Sequence, residues 1–179
     1  MGVRTTTDPR TLFRAEQHWC AADTPIGRIA LGFSERGIFR LVLPPASVRI
    51  IPDSPLPADL NRALQSFFAG QGPGPEIRLH LMGTPFRRSV WSVIRSINAG
   101  ETWSYGEVAA RLGSQGSARA VGGACGANPI PLFVPCHRVV AHSGLGGFTG
   151  GLDLKRQLLA CDRGEVSKPQ VCEVPPQKR

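Results

Sequence analysis

Gln71-Gly72-Pro73-Gly74-Pro75 constrains this chain more than any other segment, because alternating proline and glycine support neither a helix nor a paired strand. Structure must therefore form on either side of it. The 179 residues divide near residue 83 into an N-terminal part, 1–82, and a second part, 83–163, followed by a flexible tail, 164–179, that contains three prolines and several charges. With 41% apolar residues the chain can bury a true core.

In the first part, residues 1–14 are polar and aperiodic and predict a loosely held arm. Ile29-Ala30-Leu31 and Ile38 to Leu43 are apolar runs set off by Gly27 and Ser34-Glu35-Arg36-Gly37, a pattern that predicts an antiparallel meander of two or three strands. Five prolines between Pro44 and Pro57 then bar regular structure, until Leu60, Leu64, Phe67 and Phe68 recur at helical spacing. A short strand over Glu76 to Met82 ends this α/β part.

The second part predicts helices. Thr84-Pro85 supplies a capping hydroxyl and a first-turn proline, and Phe86, Val90, Trp91, Ile94 and Ile97 form one inward face, stopped by Asn98-Ala99-Gly100. Ser104 with Glu107 three residues later is a capping box, and Val108, Ala109 and Leu112 face inward until Gly113. Ser117 can cap a further short helix through Cys125. Helix, tight turn and helix make either a helix-turn-helix or an ordinary helical hairpin. The fold class is α+β.

The second helix of that pair, Ala118-Arg119-Ala120-Val121-Gly122-Gly123-Ala124-Cys125, has almost no side-chain bulk and one long cation. Readers of the major groove carry several long polar side chains, so this element predicts close backbone approach to phosphates, in the minor groove, through Ser117, Ala118, Arg119, Ala120 and Gly122. Charge agrees. The net charge is +8, and residues 84–163 carry nine basic against four acidic side chains, whereas residues 1–83 carry nine against seven.

Five scattered cysteines without a secretory signal predict a reduced, cytoplasmic protein without a disulfide framework. No apolar run reaches the roughly 20 residues that span a bilayer. His18, Cys20 and His80 fall short of a four-ligand zinc set, so no metal is expected. Cys125, Cys161 and Cys172 are assigned to packing or the tail. Cys136 differs, since Pro135-Cys136-His137-Arg138-Val139 places an imidazole directly beside a thiol behind a rigid proline. A thiol attacks as thiolate, and a histidine is the common means of generating one, so Cys136 is a candidate nucleophile of a hydrolase, a redox enzyme or an alkyl acceptor.

Read in order, Tyr105, Ala118-Arg119-Ala120-Val121-Gly122, Asn128-Pro129 and Pro135-Cys136-His137-Arg138-Val139 resemble the O6-alkylguanine-DNA alkyltransferases, over about Thr84 to Asp162. That resemblance implies an N-terminal domain with a small antiparallel, ribonuclease-H-like sheet and a mainly helical, winged-helix-like domain bearing a helix-turn-helix. It also implies direct-reversal DNA repair without a cofactor. A monomer would flip O6-alkylguanine out of double-stranded DNA and move the alkyl group irreversibly, once per molecule, onto Cys136; cooperativity on DNA stays open. The alternative is an alkyltransferase-like protein that binds lesions without reacting.

Under the same resemblance, Arg119 occupies the space of the flipped base, and Tyr105 presses on the phosphate backbone and assists protonation of the leaving guanine. Asn128 ties the active-site loop to the second helix. His137 is the base for Cys136 through a water or a local turn, with Asp162 behind it where the family has glutamate. Val139, Phe148, Thr149 and Gly150 wall the base pocket, and Phe148 stands where the family commonly has tyrosine.

Overall fold

The computed structural model describes residues 17–72, 77–165 and 171–176. The 1–14 arm and most of the proline-glycine linker lie outside the described residues. Strands β1 (His18–Thr24), β2 (Gly27–Ser34) and β3 (Gly37–Val42) form the expected meander. β1 pairs antiparallel with β2, Cys20 opposite Leu31, and β2 with β3, Leu31 opposite Leu41. Gly37 (φ 114°) makes the second turn, and a Cβ there would lie 2.3 Å from the Arg78 carbonyl oxygen, so the turn and the crossing chain can meet only at glycine. Helix α1 (Ala58–Phe68) buries Leu60, Leu64, Phe67 and Phe68 at the anticipated spacing. Full burial of Phe67 and Phe68 contributes about 1.5–3 kcal/mol each.

Helix α2 (Pro85–Arg95) starts at Thr84, whose hydroxyl accepts from the Arg87 N–H at 3.3 Å. Strand β4 (Trp103–Ser104) runs into α3 (Tyr105–Arg111), where Ser104 and Glu107 complete the capping box: Glu107 N donates to Ser104 Oγ at 3.1 Å and Ser104 N to Glu107 Oε2 at 2.6 Å. A cap of this kind contributes about 1 kcal/mol. Helix α4 (Ala118–Gly126) packs on α3 and α2, and Trp91 Nε1 donates to the Ala124 carbonyl at 2.9 Å. Strand β5 (Val139–Val140) pairs parallel with β4, α5 (Leu152–Asp162) packs on α1, and β6 (Cys172–Val174) pairs antiparallel with β1, giving the sheet order β3-β2-β1-β6.

Four expectations change. Cys172–Val174 is no part of a flexible tail but the sheet's edge strand, anchored by buried Val171 and by Leu56 N donating to Glu173 Oε1 at 3.2 Å; residues 166–170 and 177–179 lie outside the described residues. The strand over Glu76–Met82 contracts, among described residues, to a bridge between Ile38 and Leu79 at the start of β3, because farther along that edge the Leu41 N–H is taken by the Pro129 carbonyl at 2.9 Å. Phe86, in the first turn of α2, is 38% exposed because it lies beyond the reach of the cluster that holds Val90, Trp91 and Ile94. Ser117 makes no side-chain cap bond; its hydroxyl meets that of Ser114 at 2.6 Å instead.

Two cores result. One joins the meander and α1 to Ile130, Leu132, Phe133 and the inner face of α5; the other joins α2, α3 and α4 to Val134 and Val139. The chain crosses from the first core to the second at Phe133-Val134 and reaches Cys136 at the seam. No helix among the described residues is long and apolar enough to cross a membrane.

Candidate active site

Cys136 opens a single 3-10 turn, Cys136–Arg138, entered by a tight course through Asn128 to Pro135. Val134 N donates to the Ile130 carbonyl at 3.0 Å, and Leu132 takes a left-handed conformation (φ 73°) that a branched side chain rarely adopts. Such backbone costs on the order of 1–3 kcal/mol, which the complete burial of Leu132 offsets. Asn128 spans this loop. Its Oδ1 accepts from Ile130 N at 3.0 Å, and its Nδ2 donates to the Val134 carbonyl at 2.7 Å and to Cys136 Sγ at 3.1 Å. A donor on sulfur favours the thiolate.

The turn carries His137 away from the sulfur and into the interior. Its Nε2 lies 3.1 Å from Asp162 Oδ2, so aspartate reaches the ring despite being one methylene shorter than glutamate. Arg138 fixes the same carboxylate in two-point fashion, Nε to Oδ2 at 2.6 Å and Nη2 to Oδ1 at 2.7 Å, and its Nη1 donates to the Ile97 carbonyl at 2.6 Å. All three side chains are buried. Burial alone would raise the Asp162 carboxyl, but the bonds from Arg138 and His137 take it below its ordinary value. An ionised carboxylate only accepts, so Nε2 carries the imidazole proton and Nδ1 is left as the basic nitrogen. Nδ1 is buried with no partner among the described protein atoms, and burial, opposed by Asp162, holds His137 below its usual value and hence neutral at pH 7. The edge of Phe67, from α1, stacks against the ring at 5.8 Å.

Burial raises the Cys136 thiol, while the Asn128 bond and the Lys155 ammonium oppose that rise. Lys155 is fully buried and donates to the carbonyls of Val139 at 2.7 Å, Gly147 at 3.2 Å and Leu145. It thereby fixes the glycine-rich loop to the strand that follows Cys136. Burial lowers its own pKa.

Cys136 borders two cavities. One, of about 260 Å³, is lined by Tyr105, Gly122, Cys125, Gly147, Phe148 and Thr149 among others. The second, of about 400 Å³, lies toward β3 and the prolines after it, and also touches Asn128, Phe148 and Gly150. Tyr105 is half-buried, its hydroxyl donates to the Gly147 carbonyl at 3.4 Å, and burial raises its pKa. Gly146 (φ 68°) lies so close beneath that ring that a Cβ would be 2.9 Å from it. A larger cleft of about 410 Å³ between the linker, the end of α2 and Phe133 does not reach Cys136.

The sequence-predicted residues thus do not all gather in one place. Cys136, Asn128, Tyr105, Phe148, Thr149 and Gly150 line the two cavities, His137 and Asp162 are buried against each other and line neither, and Val139 is buried in the second core and lines neither. Arg119 and Ala120 are exposed on the outer face of α4, with Ser117, Ala118 and Gly122 half-buried beside them. Sequence reasoning missed Lys155, Phe67, the tie between Arg138 and Asp162, and Cys125. The signal for Lys155 was present: Lys155, Leu158, Leu159 and Asp162 stand at i, i+3, i+4 and i+7, one inward helical face. Cys125, assigned to packing, lines both cavities. No group of three or more metal-binding side chains occurs among the described residues.

Residues 85–164 match the family model described as 6-O-methylguanine DNA methyltransferase, DNA binding domain. A methylated-DNA–protein-cysteine methyltransferase of Mycolicibacterium paratuberculosis is 52% identical over 101 residues, 56% of this chain and 61% of that protein. One from Mycobacterium bovis is 38% identical over 155 residues, 83% of this chain and 94% of that protein. Among solved structures, Mycobacterium tuberculosis OGT in complex with DNA superposes with a TM-score of 0.70 at 35% identity, covering 82% of this chain and 94% of that one. Similarity of that extent, over the meander as well as the Cys136 motif, places this chain in the methylated-DNA–protein-cysteine methyltransferase family.

Proposed function

We propose that this chain repairs alkylated DNA by drawing O6-alkylguanine out of the duplex into the cavity beside Cys136 and transferring the alkyl group to that sulfur. The observation that carries this reading is the surroundings of Cys136: a thiol bordering a cavity of base-like size, an amide donor on its sulfur, and a carboxylate-held neutral imidazole in the adjacent turn. His137 Nδ1 takes the thiol proton through a water. The thiolate attacks the alkyl carbon, a carbon–sulfur bond forms as the carbon–O6 bond breaks, and the Tyr105 hydroxyl supplies a proton to the departing guanine. A thioether has no easy hydrolytic exit, so each molecule reacts once. The lesion-binding alternative lacks support because such proteins have no reactive cysteine, and this chain has Cys136.

DNA lies across the outer face of α4 in this reading, with Ser117, Ala118, Ala120 and Gly122 against the backbone and Arg119 in the stack. The protein acts as a monomer, without a cofactor. Residues 83–163 carry the chemistry, as a winged-helix-like unit, on a ribonuclease-H-like N-terminal scaffold, the two joined through the core that α5 shares with α1. Methyl transfer from a duplex O6-methylguanine oligonucleotide tests the function. Transfer should plateau at one methyl group per protein, and repeated turnover would contradict the reading. Arg119→Ala should slow repair of the duplex about tenfold or more, since unstacking a base costs a few kcal/mol, while reaction with the free modified base stays unchanged. An equal effect on both substrates would remove Arg119 from flipping.

Phe148 lacks the hydroxyl that a tyrosine there could donate to O6. A hydrogen bond of about 0.5–1.5 kcal/mol corresponds to a roughly two- to tenfold faster transfer in Phe148→Tyr, measured as a single-turnover rate. An unchanged or lower rate would place Phe148 away from O6.

A further inference from the structure

The cavity beside Cys136 contains a second thiol. Cys125, in the last turn of α4, borders both cavities that Cys136 borders. One residue links the two cysteines, because Asn128 N donates to the Cys125 carbonyl at 3.2 Å while Asn128 Nδ2 donates to Cys136 Sγ at 3.1 Å. Each is free, and Cys125 is only partly buried. The ammonium of Lys155 favours the thiolate form of both, and a Cys136 thiolate disfavours ionisation of Cys125.

We propose that Cys125 and Cys136 form a reversible redox pair, in which Cys125 resolves oxidised Cys136 as an intramolecular disulfide. The oxidant is hydrogen peroxide, which is small enough to enter the cavity. Cys136 sulfur attacks one peroxide oxygen: a sulfur–oxygen bond forms, the oxygen–oxygen bond breaks, and the departing hydroxide takes the thiol proton as water, leaving a sulfenic acid. Cys125 sulfur then attacks that sulfur, the sulfur–oxygen bond breaks, and the hydroxide takes the second thiol proton as water. Two thiols lose two electrons, and one peroxide becomes two waters. Burial holds the Cys125 thiol up to about 12, but a neutral sulfenic acid at Cys136 removes the charge that opposes its ionisation. The disulfide occupies the nucleophile and spares it further oxidation to sulfinic acid, which thiols do not reverse. The pair goes beyond alkyl transfer and depends on that reading only for what the disulfide switches off.

Both cysteines lie in one tryptic peptide, Ala120 to Arg138, so the test is direct. The full chain is exposed to hydrogen peroxide, blocked with iodoacetamide, digested and weighed. The expected product is that peptide about 2 Da lighter and without alkylation, restored to two alkylatable thiols by dithiothreitol. Under the same exposure, Cys125→Ser should instead accumulate a peptide about 32 Da heavier that dithiothreitol does not reverse. Absence of the lighter wild-type peptide, or equal sulfinic acid in both proteins, would overturn the pair. Neither readout requires alkyl transfer, so loss of the repair reading would leave this result standing.

Discussion

Asp162→Asn is expected to destabilise the fold by about 3–5 kcal/mol, the range for breaking a buried ion pair from one side. The amide is nearly isosteric, so no cavity arises. What is lost is the counter-charge to Arg138, which stays buried with two donors facing an amide that accepts through one oxygen. Nε2 of His137 also loses its charged acceptor, so the imidazole no longer holds one tautomer, and alkyl transfer should fall with stability. Chemical denaturation and single-turnover transfer measure the two effects separately. The pH dependence has a definite sign. Because the folded carboxyl lies below its ordinary value, near 3.9, its stabilisation is complete above that value and is lost as pH falls through the folded pKa. Wild-type stability should decline there, and the variant should lack that component. A variant as stable as wild type would mean that the ion pair contributes nothing net.

Lys155→Met should have the next-largest effect, and on the rate more than on the fold. Methionine approximates the length and removes the three donors, leaving carbonyls of Val139, Leu145 and Gly147 without their partner. Each unsatisfied buried acceptor costs about 1–3 kcal/mol, but removal of a buried charge offsets part of that, so a net loss of about 1–3 kcal/mol is expected. The loop from Leu145 to Gly147 then loses its fixed position under Tyr105 and beside Cys136. Transfer should slow at least about tenfold, since small displacements of reacting groups are costly. If the rate were unchanged, the loop would be held by Tyr105 and Gly146 packing alone.

The local signals in the sequence were strong where one residue type does one thing. Thr84-Pro85, Ser104 with Glu107, the two turn glycines of the meander and the inward faces of α1 and α2 all appear where their chemistry places them. The site was readable for a different reason: Tyr105, Ala118 to Gly122, Asn128-Pro129 and Pro135 to Val139 stand in the order and spacing of the alkyltransferases, and that resemblance carried Asn128, His137 and Asp162 with it. Long-range pairing was less accessible. Nothing local in Cys172–Val174 announces that β1 has an open edge, and nothing in Arg138 announces that it meets Asp162 across the seam. Lys155 and Cys125 were overlooked because each looks ordinary on its own helix and acquires a role only from what the loops bring to it. Phe86 had the right period but stands one turn too early to reach the core.

Two thiols border the same cavity, so the identity of the sulfur that receives the alkyl group is decisive. Incubation with duplex O6-methylguanine, followed by fragmentation of the peptide Ala120 to Arg138, answers this directly. The prediction is a gain of about 14 Da localised to Cys136, with Cys125 unmodified and one adduct per molecule. A methyl group on Cys125, or tight binding to the lesion with no adduct on either cysteine, would contradict it.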